Sequence, residues 1–192
     1  MKYLKMLGLA AVAAMAMAAF TAGTASATTL SEGGAAKNSA VTISASLASG
    51  TSAVLSRTDG SLANTCTVSN VSGETDSPYT GATVTGGIDS LSFESCTRTV
   101  TVHQKGTLHV AHSGGENGTV SSSGAEVTVG SPFGTLNCKT GTGTTLGTLT
   151  GGASGHATMD INAVLNCGFL VPSASWKGTY TVTSPTGLGV VS

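Results

Sequence analysis

The residues able to do chemistry here are four cysteines, four histidines, nine carboxylates and a few aromatics. Cys66 and Cys96 stand 30 positions apart. Cys138 and Cys167 stand 29 apart, and Asn137-Cys138 echoes Thr65-Cys66. An even set with no C-x-x-C and no paired-histidine spacing reads as disulfides rather than as a zinc site. The matched intervals favour bridges Cys66 to Cys96 and Cys138 to Cys167, although the residues alone leave the cross-pairings open. Closing loops of this size is worth about 3 to 4 kcal/mol each in the chain-entropy view.

The other groups assemble less readily into a site. Arg98 to His103, a Gln104-Lys105-Gly106 turn and Thr107 to His112 read as a hairpin with Val100, Val102, Leu108 and Val110 inward. That register sets His103 and His109 diagonally on the outer face as weak metal candidates. Two ligands without a third His, Asp or Glu make a poor metal site, so no metal and no cofactor is expected. Gly152-Ala153-Ser154-Gly155-His156 lacks the second glycine of a nucleophile elbow. Glycoside cleavage would need a carboxylate pair, for which Asp89 with Glu94 and Glu116 with Glu126 are the candidates. The Gly/Thr-rich stretch 141–155 lacks the Lys-Ser/Thr of a phosphate loop and reads as turns. The chain is therefore not expected to be an enzyme. Tyr79, Trp176 and Tyr180 are weak candidates for sugar-stacking platforms, the last two fitting better as core.

The elements that must position these groups are strands. From Ala157 to Cys167, apolar residues alternate with Thr158, Asp160, Asn162, Val164 and Asn166, the period-two signature of a half-buried strand. Ile88 to Cys96 resembles a worn copy, which suggests two similar cysteine-bracketed β units. Further strands are expected over Val41 to Leu47, Ser52 to Arg57, Cys66 to Val71, Ala125 to Val129 and Ser175 to Ser184, ending at Pro185. Gly73 to Gly81 has the composition of an exposed loop. No segment after the leader carries helical apolar spacing. The expected fold is all-β, a two-sheet sandwich with a jelly roll or an irregular barrel as variants, preceded by a signal peptide helix. The divisions are 1–27 as signal peptide, 28–38 as a flexible arm and 39–192 as one β-sandwich domain.

The leader sets the address. Lys2 and Lys5 precede an apolar run from Leu7 to Phe20, and Ala25-Ser26-Ala27 supplies small residues for cleavage after Ala27. The run is shorter than the roughly 20 residues a membrane span needs, so no integral segment is expected after cleavage. Six Lys and Arg then face nine acids, a balance that attracts neither nucleic acid nor an anionic membrane. The leader, Asn64-Thr65-Cys66-Thr67, Gly87-Ile88-Asp89-Ser90-Leu91-Ser92-Phe93-Glu94-Ser95-Cys96 and Trp176-Lys177-Gly178-Thr179-Tyr180-Thr181-Val182 together resemble the small exported Ser/Thr/Gly-rich proteins of actinomycete-type bacteria. That resemblance implies export and a β fold, and brings no catalytic residue. The reading is a secreted or cell-surface structural or interaction module whose partners are envelope components, glycan or other proteins. A carbohydrate-binding module ranks second and a secreted hydrolase third.

Overall fold

The computed structural model describes residues 27–61, 63–131, 134–169 and 171–192. The leader helix expected before Ala27 lies outside the described residues. In chain order the strands are β1 (Thr29–Glu32), β2 (Ala35–Ala36), β3 (Thr42–Leu47), β4 (Ala53–Arg57), β5 (Asn64–Thr75), β6 (Val84–Cys96), β7 (Val100–Gln104) and β8 (Thr107–Gly114). They continue as β9 (Asn117–Ser123), β10 (Glu126–Ser131), β11 (Gly134–Lys139), β12 (Thr144–Thr150), β13 (Thr158–Leu165), β14 (Ala174–Ser184) and β15 (Leu188–Val191). Among the described residues there is no helix, as the absence of 3.6-residue apolar spacing predicts.

Eight strands close on themselves in the order β3, β5, β6, β8, β9, β12, β13, β14 and back to β3, each pair antiparallel. The expected two-sheet sandwich is therefore a closed barrel, the irregular-barrel variant of the prediction. Period-two alternation names one buried face per strand and is the same for both architectures; what decides between them is which strands meet last. Here β14 spans both neighbours, with Thr158–Leu165 of β13 on one side and β3 on the other. Bulges at Ser72/Gly73, Thr145/Gly147 and Val182/Ser184 bend the wall so that it can close. The chain shares one wall position between β3 and β4: β3 pairs the later parts of β5 and β14, and β4 pairs their beginnings.

Each barrel end carries a small three-stranded sheet. At one end β15 pairs β1, which pairs β2, so the chain's last strand meets the first described one. Leu30, Leu188 and Val190 of this cap are buried in the common core with Val120 and Leu149 of the barrel. The arm expected over 28–38 is thus corrected. Its Leu30 and Ser31 are buried, and three apolar side chains from β1 and β15 supply the burial that made a strand of a segment with little apolar content of its own. At the other end β10 lies between β7 and β11.

The second cap corrects the hairpin predicted over 98–112. β7 pairs β10, whereas β8 pairs β6 and β9. Buried Asn64 clamps the departure point, its Oδ1 accepting from Arg98 N at 2.8 Å and its Nδ2 donating to Arg98 O at 3.2 Å. The loop expected over 73–81 is also shorter, because β5 runs through Thr75 against Gly86.

Candidate functional site

Both expected disulfides are formed, Cys66 with Cys96 and Cys138 with Cys167. Their settings differ, which removes the two-unit reading. Cys66 and Cys96 sit directly opposite on the neighbouring strands β5 and β6. Cys138 belongs to β11 of the cap and Cys167 follows β13 of the barrel, so this bridge fastens cap to wall. The backbone bonds Lys139 N to Asn166 O (2.8 Å) and Asn166 N to Lys139 O (3.3 Å) run beside it. Cys66, Cys138 and Cys167 are buried.

The histidines are dispersed. His103 lies on the exposed face of the cap, with Nε2 2.6 Å from Thr128 Oγ1. His109 is in the barrel wall between Thr85 Oγ1 (3.0 Å from Nδ1) and Thr107 Oγ1 (3.2 Å from Nε2). The two occupy different sheets, so the diagonal pair drawn from the hairpin does not form. Among the described residues no three His, Cys, Asp or Glu gather as a metal site would require. His156 Nδ1 lies 2.8 Å from the Val182 carbonyl, and Asp160 accepts from Thr179 Oγ1 at 2.8 Å, so each is engaged away from the other.

The carboxylate pairs do not converge either. Asp89 falls at the β6 bulge and Glu94 five residues further along, roughly 16 Å of strand, beyond the spacing of a glycosidase pair. Glu116 sits at the β8–β9 turn, where its carbonyl accepts from Val190 N. Glu126 is in the opposite cap, accepting from Asn137 Nδ2 at 2.6 Å with Lys139 Nζ at 3.1 Å. Those two contacts, Asn137 first, hold its carboxyl below the ordinary range. The turn acid Asp59 is lowered in the same way, chiefly by Ser61.

Of the aromatics, Phe169 is 98% exposed, whereas the three candidates are wholly or partly buried. Tyr180 is buried, its hydroxyl donating to Ser69 Oγ at 3.0 Å, and burial raises its pKa to about 12 against the smaller opposing effect of that bond. Trp176 stacks edge-on between Phe93 and Tyr180, with ring centroids 6.1 and 6.5 Å away. Tyr79 spends its hydroxyl on Ser39 O (2.8 Å) and Thr75 Oγ1 (2.7 Å). Neither Trp176 nor Tyr180 offers a flat exposed ring, and Tyr79 is half-buried.

What sequence reasoning missed is the barrel interior itself. Cavities of about 100, 50 and 60 Å³ follow one another along it. The only available signal was the small size of the inward positions, such as Ala45, Val84, Val120 and Ala163. A pattern of apolar positions carries no volume until the strands are paired.

The fold and its fastenings define a class, a disulfide-stapled, eight-stranded antiparallel barrel capped at both ends. No protein-family model, curated protein or solved structure matches the chain.

Proposed function

We propose that this chain is an exported structural or interaction module that works outside the cell or on its surface, through its outer face rather than through bond-making chemistry. The observation that carries the reading is the pair of formed disulfides, one inside the barrel wall and one locking a cap to it. Such bridges persist in oxidising surroundings and are rare where thiols are kept reduced. No helix among the described residues is long and apolar enough to cross a membrane.

The cleavage point read from the sequence supports the same address. Thr28, the first residue after it, is buried and tied down, its N–H donating to Gly81 O at 2.9 Å and its hydroxyl to Ala82 O at 2.7 Å. Removal of the leader would leave every described strand whole. The resemblance to small exported actinomycete-type proteins points the same way, with envelope components, glycan or other proteins as partners.

The test is fractionation of cells expressing the full chain, with thiol labelling before and after reduction. The fully oxidised protein is expected in the medium or released from the envelope. Recovery in the cytoplasm with labelled free cysteines would overturn the proposal.

A further inference from the structure

An eight-stranded barrel is just wide enough either to be filled by side chains or to hold one small ligand. Here the filling is incomplete. The cavity of about 100 Å³ lies beneath the β1–β15 cap, walled by Leu30, Ala45, Val84, Val120, Leu149 and Val190. All six are buried. Glu74, the one charged side chain at its edge, is exposed beside the lining glycines Gly73, Gly86 and Gly87. Met159, with Val71, Ile88 and Leu108, lines both this cavity and the central one of about 50 Å³ beyond it.

A void of roughly 150 Å³ lined by Leu, Ile and Phe takes benzene or xenon, and this cavity has walls of the same apolar kind. Its walls lack partner atoms on one side, so a guest restores contacts that no water supplies. Met159 is unbranched and adaptable, so of the side chains that line both cavities it is the one best able to turn aside, and the two spaces of about 100 and 50 Å³ together match the size of such a guest. We propose that the barrel interior beneath the β1–β15 cap binds one small apolar molecule, a single aromatic ring or a short alkyl chain, with Met159 as the movable floor. This goes beyond the surface role proposed above and does not depend on it.

The test uses the leaderless, fully oxidised chain with benzene as probe, read by thermal melting and by methyl resonances. Benzene is expected to raise the melting temperature in proportion to the logarithm of its concentration at saturation and to shift the Met159 and Val120 methyl signals. Ala45→Leu, which fills the cavity, is expected to abolish both effects. Met159→Ala is expected to admit a larger ring, naphthalene, that the parent rejects. A parent that shows no benzene response overturns the proposal. So does a response retained in Ala45→Leu, or shifts confined to Val100 and Val129 at the other end. If Ala45→Leu does not fold, Met159→Ala decides alone, and the same guest range in parent and variant overturns it.

Discussion

At Tyr180 burial and a hydrogen bond act in opposite directions on one hydroxyl. Folding raises its pKa from 10.0 to about 12, so the unfolded chain releases this proton first. The stability it contributes is complete below pH 10 and is lost as pH rises from there through about 12, a total on the order of 2 to 3 kcal/mol. Tyr180→Phe has no proton to lose and should flatten that decline. It also strands the buried Ser69 hydroxyl, which should cost about 1 to 3 kcal/mol at neutral pH. Urea unfolding of parent and variant at neutral pH and at about pH 11 reads both effects. His103 and His109 are the contrasting case, each satisfied by threonine hydroxyls in its own sheet. Replacing either with Gln should move stability by no more than about 0.5 kcal/mol, and zinc should leave the melting temperature of parent and variants alike unchanged. A zinc-dependent rise in the parent alone would restore the metal reading.

At the scale of the element, β13 shows how far a strand can be read in advance. Its alternation put Ile161, Ala163 and Leu165 on the buried face and Asp160, Asn162 and Val164 outside, as the structure has them. The same strand therefore holds a sharp contrast. Ile161→Ala should cost about 2 to 5 kcal/mol, whereas Val164→Thr, at a position 60% exposed, should stay within about 0.5 kcal/mol. Chemical denaturation of the two variants checks it, and equal effects would mean the register is wrong. The hairpin of Arg98 to His112 failed for a reason periodicity does not contain. Two alternating runs around a glycine turn look paired, but Asn64 holds Arg98 and turns β7 toward β10, a partner some 25 residues later in the chain. The strand β1 was missed because Leu30 is its one large apolar side chain, and only the distant Leu188 and Val190 make a strand there worth forming. Cys138→Ser removes the covalent fastening of the β7–β10–β11 cap and should cost on the order of 2 to 5 kcal/mol, with amide exchange rising first in β10 and β11.

For the whole molecule, the alternating strands and the cysteine intervals made an all-β, disulfide-held chain legible from its residues, while closure into a barrel was not. Closure rests on β14 meeting β3 and β13 at once, a contact between residues as far apart as Ser44 and Ser184. The candidate histidine pair dissolved for the same reason, since His103 and His109 were neighbours only under a pairing the chain does not adopt. Export of the barrel and its two specific bridges can be read together in a non-reducing tryptic mass map of the protein recovered from culture medium. It should contain an N-terminal peptide from Thr28 to Lys37, one internally bridged peptide from Thr58 to Arg98, and Gly106 to Lys139 joined to Thr140 to Lys177. A peptide from Thr58 to Arg98 linked to either of the other two, or a full-length chain found only inside the cell with its thiols free, would contradict it.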